Sequence, residues 1–227
     1  MHTKLILRYA IDKALRLVGL AVMLFWSAGS AAWWPGWALV AVSGAWVVAT
    51  AAVILRGDPG LLAERLRPPQ GARRWDTVLM SIHGLVQMAV YLAGGFHHRF
   101  GWRGELPVTV QLIGLLGCAV GYGLAVWAAA CNPFFSLIMR IQEDRGHRVA
   151  TSGPYRVLRH PAYAGAVLLG VSFGALLGSA WALLIGAADS ALMILRTILE
   201  DRGLRAELPG YAEYARRVPF RLLPGIW

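Results

Sequence analysis

Long apolar stretches, separated by short polar segments, dominate the pattern along the chain. Six of them can be delimited, at 17–32, 37–55, 78–96, 106–131, 162–177 and 181–199. A helix needs about 20 residues to cross the ~30 Å hydrocarbon core, so the first and fifth stretches are short and the other four suffice. The pattern predicts an all-α, polytopic membrane bundle of about six transmembrane helices.

Composition excludes the main soluble classes. Of the 227 residues, 57% are hydrophobic and 15% are charged, against about 45–50% and about 25% in ordinary soluble domains. A disordered chain would hold far less apolar material. The net charge of +10 belongs to a mostly apolar chain and not to a polar, soluble domain, so we expect no nucleic-acid partner.

The positive charges predict the orientation of the bundle. Of the 22 Lys and Arg residues, all except Arg99 and Arg103 fall on one side of a six-span topology. An excess of Lys and Arg marks the cytoplasmic side. We therefore expect both termini, the 56–74 loop and the 132–160 loop to be cytoplasmic.

The first apolar stretch has a second interpretation. Its basic lead-in and the small residues after 26 also fit a secretory signal peptide. We favour a retained first helix.

Several residues are predicted to lie at the membrane surface. Trp33, Trp34 and Trp37 cluster between the first two stretches, as interfacial anchors do. Residues 61–66 fit a short helix on the membrane surface. Asp76 is predicted to cap the start of the third span.

Polar residues inside the spans form two stripes. Arg196 and Glu200 each lie within about 20° of Asp189 on the last helix, given 3.6 residues per turn. Either Arg196 and Glu200 form a structural ion pair, or the stripe lines a cavity. A second stripe in the third span consists of His83, Gln87 and Tyr91, for which helix-to-helix hydrogen bonding is the simplest role.

Glycines in the fourth stretch predict close helix packing, because small residues let backbones approach. They are Gly114, Gly117, Gly121 and Gly123. The two cysteines, Cys118 and Cys131, provide neither a disulfide framework nor a metal cluster, and we expect no metal site.

The 132–160 loop is dense in groups that bind polar ligands. Pro161 suits the first position of a helix, which places His160 at its N-cap. The His160 ring would then face the free N–H groups and the positive end of the helix dipole, where an anion could bind.

Several short motifs together resemble a known family. Arg159-His160-Pro161-x-Tyr163-x-Gly165 follows Gly153-Pro154-Tyr155, and the acidic pair Glu200-Asp201 precedes a closing segment that ends in Pro224-Gly225-Ile226-Trp227. In this order they resemble the isoprenylcysteine carboxyl methyltransferase and phospholipid methyltransferase superfamily of integral membrane enzymes. The resemblance covers about Asn132–Trp227, and Asp201 stands where the family more often has a second Glu.

The resemblance implies S-adenosylmethionine as cofactor and divides the chain into two parts of one integrated domain. Residues 1–131 would form a four-helix membrane portion, and 132–227 the catalytic region. Arg196 matches the position that holds the substrate carboxylate, and Arg196 and Glu200 are the expected catalytic residues. The cofactor-binding residues it implies are Gln142, His147, Val149, Ala150, Tyr155, His160, Pro161, Tyr163 and Glu200.

The residue types agree with that chemistry. S-adenosylmethionine carries an ammonium, a carboxylate, a ribose and an adenine, and its site needs an acid, a positive or N–H-rich corner and an aromatic slot. Glu200, the helix start at His160, and Tyr155 with Tyr163 provide these. We expect a methyltransferase that faces the cytoplasm and acts on a lipophilic acceptor, either a prenylcysteine-like carboxylate or a phospholipid-like amine. An NADPH-dependent membrane sterol reductase and a non-catalytic membrane accessory protein stay open as alternatives.

Overall fold

The computed structural model describes residues 2–56, 73–136 and 138–227. These ranges contain α-helices, two short 3₁₀ helices (Glu143–Arg145 and Gly153–Arg156) and no β-strand. The α-helices are α1 (His2–Ala28), α2 (Trp34–Arg56), α3 (Arg74–Phe100), α4 (Val108–Cys131), α5 (Pro161–Leu176), α6 (Ala180–Glu207) and α7 (Tyr211–Arg217). The helix predicted over 61–66 lies outside the described residues.

The all-α prediction is confirmed, and within the described ranges four helices are long and apolar enough to cross a membrane: α2, α3, α4 and α6. The apolar helix α5 has 16 residues, so the fifth stretch is short, as its sequence indicated. Helix α1 joins the basic lead-in to the first apolar stretch in one continuous helix. The count of six spans and the cytoplasmic side of the termini stay predictions.

The six longer helices pack as an alternating bundle. Helix α1 lies against α2 and α3, α3 against α6, α6 against α5, and α5 against α4, which also contacts α2. One buried apolar cluster runs through them and includes Leu24 from α1, Leu39 from α2 and Phe173 from α5. Helix α1 thus contributes the buried residues Leu24 and Ala28 to this core.

Glycines set the distance between α4 and α5. A Cβ at Gly114 would lie 2.4 Å from the backbone N of Leu176, and one at Gly121 would lie 2.8 Å from the carbonyl O of Gly165. Gly117 is similarly close to the Ser172 hydroxyl. The prediction for Gly123 is wrong, because a Cβ there meets nothing within 4 Å.

The aromatic residues at the end of α1 differ from the prediction in one respect. Trp34 and Trp37 are exposed, as interfacial anchors are, but Trp33 is buried. Its ring stacks on His98 with the ring centroids 5.2 Å apart. Trp33 is therefore a packing residue between α3 and the α1–α2 connection.

The alternation of helices brings four chain segments to one end of the bundle. The start of α3, the end of α4, the start of α5 and the end of α6 meet there, and α7 packs against α6. The loop from Asn132 to His160 covers this end, and the candidate site lies beneath it.

Candidate functional site

A pocket opens at the end of the bundle between the 132–160 loop, α5, α6 and α7. Its empty space, the open mouth included, is about 750 Å³. Seven of the residues expected at a cofactor site line it: His147, Val149, Ala150, Tyr155, His160, Tyr163 and Glu200. The structure thus brings together residues that are more than 50 positions apart in the sequence.

Two expected cofactor residues lie outside this lining, where they shape the loop. Gln142 is fully buried; its Nε2 donates to the carbonyl O of Phe134 at 2.7 Å and its Oε1 accepts from Arg145 Nη1 at 2.7 Å. Pro161 is the first residue of α5, as predicted. Gln142 therefore fixes the fold of the loop that carries the lining residues.

His147 is held as a neutral ring with a defined tautomer. The backbone N–H of Gln142 donates to His147 Nδ1 at 3.2 Å, which leaves the hydrogen of a neutral ring on Nε2. Burial lowers the pKa of His147, and the nearby Arg140 and Arg145 lower this pKa further. The ring also stacks on Phe134, with centroids 4.7 Å apart. His147 therefore offers one N–H donor beside an apolar wall.

Glu200 is the acid of the pocket. Tyr163 donates its hydroxyl to Glu200 Oε2 at 2.7 Å, and Glu200 Oε1 lies 3.8 Å from His160 Nδ1. The carboxylate is 18% exposed and lies in the lining. One oxygen is thus held by Tyr163, and the other can receive a cation or a hydroxyl group.

The predicted orientation of His160 is wrong, although its position is right. It is the N-cap residue of α5, but its side chain makes no capping hydrogen bond. The ring stacks on Tyr163 at 5.7 Å and points Nε2 toward Asp201 Oδ1 at 3.4 Å. The two carboxylates of α6 draw the ring away from the helix N–H groups, because an ionised acceptor makes the stronger hydrogen bond.

Asp201 joins the separate parts of the catalytic region. This buried carboxylate accepts from Arg159 Nε at 2.8 Å, from Arg205 Nε at 3.1 Å and from Arg221 Nε at 3.0 Å. The Tyr211 hydroxyl donates to it at 2.9 Å. Several donors surround a single buried charge, so Asp201 holds the loop and the C-terminal tail on α6.

The tail is also tied to the loop by backbone contacts. Arg159 donates from Nη1 to the carbonyl oxygens of Val218 and Pro219 at 2.8 and 2.7 Å. Its backbone N–H donates to the carbonyl O of Phe220 at 2.9 Å. Residues 218–220 are therefore fastened to Arg159, which itself lines the pocket.

Arg196 lies behind the lining and is held by an acid from α3. Its Nε donates to Asp76 Oδ1 at 2.7 Å and its Nη2 to Asp76 Oδ2 at 3.3 Å. The guanidinium carbon sits 4.9 Å from the centroid of the Tyr163 ring. The prediction of Asp76 as a helix cap is wrong, because this side chain points across the bundle and α3 has no side-chain cap.

The remaining polar stripes of α3 and α6 meet each other. Asp189 is fully buried, with His83 Nδ1 at 2.7 Å and Gln87 Nε2 at 2.8 Å from its two oxygens. Neither the stripe of α3 nor Asp189 lines the pocket. This contact is the helix-to-helix hydrogen bonding expected for His83 and Gln87.

Sequence reasoning missed the apolar wall of the pocket. Phe134, Leu204 and Leu208 line it, together with Tyr211 and Tyr214 of α7. The spacing of Glu200, Leu204 and Leu208 at four residues was a usable signal, since it places them on one helix face. This spacing was overlooked because the predicted apolar stretch ends at residue 199, whereas α6 continues to Glu207.

Buried phenols complete the wall. Tyr214 donates its hydroxyl to the carbonyl O of Tyr155 at 2.7 Å, and Asn132 Nδ2 donates to the Tyr155 hydroxyl at 3.3 Å. Burial raises the pKa of Tyr155, Tyr211 and Tyr214 above the usual value. They are therefore neutral hydrogen-bonding groups at physiological pH and not bases.

Comparison with known proteins gives one family and one characterised relative. Residues 113–206 match the profile of the isoprenylcysteine carboxyl methyltransferase (ICMT) family. The chain is also similar to the cobalt-zinc-cadmium resistance protein CzcN of Cupriavidus metallidurans, at 33% identity over 121 residues. That match covers 52% of this chain and 50% of the relative's length, so the chain spans about half of the relative it matches.

The matched family segment contains most of the pocket. It runs from the second turn of α4 to the end of α6 and includes the loop, His160, Tyr163 and Glu200. It does not reach α1–α3 or α7. The match over residues 113–206 supports a relationship of this segment to the isoprenylcysteine carboxyl methyltransferase family, a family of membrane methyltransferases.

Proposed function

We propose that the protein is an integral membrane methyltransferase that uses S-adenosylmethionine and methylates a lipophilic acceptor. The observation that carries the proposal is the pocket at the end of the bundle, where the family segment collects Glu200, His147 and His160 around one space. The proposal also takes up the family's membrane setting, which four apolar helices provide.

The residues of the pocket fit the chemical groups of this cofactor. The free oxygen of Glu200 suits the ammonium or a ribose hydroxyl, and the Nε2–H of His147 suits an adenine nitrogen. Phe134, Val149 and Leu208 give an apolar slot for the adenine ring. Arg148, an exposed residue of the lining, suits the cofactor carboxylate.

In this proposal the chain acts mainly by positioning. When bound, the cofactor would supply an electrophilic methyl group: the acceptor nucleophile would bond to the methyl carbon as the carbon–sulfur bond breaks in line, with S-adenosylhomocysteine as the leaving group. Glu200 and His147 orient the donor. A carboxylate nucleophile needs no base, whereas an amine must first lose a proton, for which His160 and Glu200 are within reach of the pocket.

Arg196 is proposed as the residue that places the acceptor. Asp76 fixes the direction of its guanidinium, which a contact with a carboxylate or a phosphate requires. A prenylcysteine-like carboxylate would be a second anion beside Asp76, whereas a phospholipid-like amine would place its phosphate there. Both acceptors therefore stay in the proposal and are separated by the assay below.

The proposed site faces the cytoplasm, because the Lys and Arg residues gather at its end of the bundle. The name of CzcN connects that protein with resistance to cobalt, zinc and cadmium. Among the described residues, no group of three or more His, Cys, Asp or Glu side chains is placed to hold a metal ion. Methylation of a membrane component is the activity we propose for the present chain.

The test is transfer of a labelled methyl group. Membranes containing the protein are incubated with methyl-labelled S-adenosylmethionine and either a prenylated cysteine analogue or phosphatidylethanolamine. We expect a labelled product that is soluble in organic solvent, from one of the two acceptors, and at least tenfold less of it with Glu200→Gln. Equal label in membranes without the protein would reject the proposal.

A further inference from the structure

A chain of contacts links α3 to the acid of the pocket. It begins at Asp76, which is fully buried and accepts two hydrogen bonds from the Arg196 guanidinium, at 2.7 and 3.3 Å. The guanidinium lies over the Tyr163 ring at 4.9 Å, and the Tyr163 hydroxyl donates to Glu200 Oε2 at 2.7 Å. Four side chains from three helices thus lead from the interior of the bundle to the lining.

The same carboxylate holds a second part of the pocket. The backbone N–H of Met139 donates to Asp76 Oδ2 at 2.7 Å. Met139 and Arg140 are lining residues, so one oxygen of Asp76 anchors the loop while both oxygens hold Arg196. A single group on α3 therefore sets the distance between the loop wall and the α5–α6 wall.

The buried charge of Arg196 requires Asp76 as its partner. The Arg196 guanidinium is only 5% exposed. A cation that is buried in this way needs an anion at hydrogen-bonding distance. Glu200 is the neighbouring acid one turn along α6, and its Oε2 is engaged by Tyr163. With Asp76 as the partner, Arg196 stays over the Tyr163 ring and Glu200 keeps its other oxygen for the pocket.

We infer that Asp76 is a positioning residue of the cofactor site, acting on Glu200 through Arg196 and Tyr163 and on the loop through Met139. This inference rests on the proposed function. It assigns a functional role to α3, which lies outside the family segment 113–206. The ligand concerned is S-adenosylmethionine, or S-adenosylhomocysteine as its stable analogue.

The experiment separates positioning from simple charge balance. The purified wild-type protein in lipid nanodiscs is titrated with S-adenosylhomocysteine by calorimetry, beside Asp76→Asn and the double variant Asp76→Asn/Arg196→Gln. The double variant removes both charges, so it restores a neutral, hydrogen-bonding pair between α3 and α6. We expect it to regain thermal stability relative to Asp76→Asn and still bind the ligand about tenfold more weakly than the wild type.

A matched control comes from the same two helices. Asp189 is also fully buried and also accepts from α3, but it does not line the pocket. Asp189→Asn should lower stability and leave the affinity for S-adenosylhomocysteine within about twofold. The affinity of Asp189→Asn for S-adenosylhomocysteine then measures how far a weakened contact between α3 and α6 disturbs the site by itself.

The outcomes distinguish this inference from the proposed function. If the wild type binds no S-adenosylhomocysteine, the proposed function fails and the inference fails with it. If the wild type binds and the double variant binds equally well, the inference alone is overturned. An equal loss of affinity in Asp189→Asn also overturns it, because any weakened contact between α3 and α6 would then suffice. If Asp76→Asn does not fold, the double variant decides by the same criteria.

Discussion

At the residue scale, the polar side chains around the pocket carry distinct tasks that their sequence positions alone do not reveal. Glu200 and Asp201 are adjacent, yet Glu200 lines the pocket while Asp201 is buried among arginines. Neighbouring residues on a helix point about 100° apart, so one faces the ligand space and the other faces the tail. The sequence motif identified both residues but could not separate their roles.

Asp201 should be the more important of the two for stability. Asp201→Asn removes the charge that balances Arg159, Arg205 and Arg221, and leaving a buried charge unpaired costs about 3–5 kcal/mol. Because Arg205 and Arg221 are partly exposed, we expect the lower end of this range. The check is thermal unfolding in detergent.

The control for Asp201 is an exposed carboxylate that pairs on its own helix. Glu213 lies 3.6 Å from Arg217 on α7, and such surface pairs contribute about 0.5 kcal/mol or less. Glu213→Gln should therefore leave the melting temperature nearly unchanged. If Asp201→Asn melts at the same temperature as Glu213→Gln, the Asp201 network does not hold the tail.

His147 gives the site a pH dependence with a definite sign. Burial and the neighbouring Arg140 and Arg145 lower its pKa from the usual 6.5. The folded state therefore binds fewer protons than the unfolded state, so the contribution is complete above pH 6.5 and is lost as the pH falls through the lower, folded pKa. The melting temperature of the wild type should fall more between pH 7 and pH 5 than that of His147→Gln. Parallel curves for the two proteins would show that His147 is not the titrating group.

At the element scale, the sequence predicted the helices well and their ends poorly. The fifth stretch, 162–177, corresponds closely to α5, Pro161–Leu176, because Pro161 and the Gly178 turn mark its limits. The sixth stretch ends at 199, but α6 runs to Glu207. Hydropathy reports the apolar part of a helix, and hydrogen bonding continues the helix into the polar region where the site lies.

The packing of α4 on α5 can be tested by a matched pair of substitutions. A Cβ at Gly121 would lie 2.8 Å from both the carbonyl O of Gly165 and Cγ of Leu169, whereas one at Gly123 meets no atom within 4 Å. Gly121→Ala should destabilise the bundle by about 1–3 kcal/mol, as overpacking does. Gly123→Ala should be neutral or slightly stabilising, since Ala favours the helix over Gly.

Thermal unfolding of the two alanine variants in the same detergent gives the comparison. Because α5 carries Tyr163 and begins directly after its N-cap residue His160, a shift of α5 should also weaken ligand binding in Gly121→Ala. Two variants with the same melting temperature would mean that α4 and α5 are not in the close contact described.

At the scale of the whole molecule, the chain forms one bundle with its chemistry at one end. The sequence predicted this end from the distribution of Lys and Arg and from the motifs after Asn132. It did not predict the part played by α3, because Asp76 and Arg196 are 120 positions apart in the sequence and only the folded bundle brings them together. Contacts between distant helices are set by packing, which a linear pattern does not report.

The orientation can be tested by labelling single cysteines with a reagent that does not cross membranes. In a variant without Cys118 and Cys131, Phe100→Cys lies at the end of α3 and Thr151→Cys lies in the loop over the pocket. The positive-inside rule predicts that position 100 is labelled from outside intact cells and position 151 only after the membrane is opened. Labelling of both from the same side would refute the six-span topology.

The most direct measurement of the central claim is ligand binding by the purified protein. Thermal unfolding is followed in detergent with S-adenosylhomocysteine and, separately, with NADPH, for the wild type and for Glu200→Gln. A ligand that binds the folded state raises its stability by mass action, by about 2.7 kcal/mol at a hundred times the Kd. The account predicts a rise in melting temperature with S-adenosylhomocysteine that Glu200→Gln largely loses, and no rise with NADPH. A rise with NADPH alone, or no rise with either ligand, would contradict it.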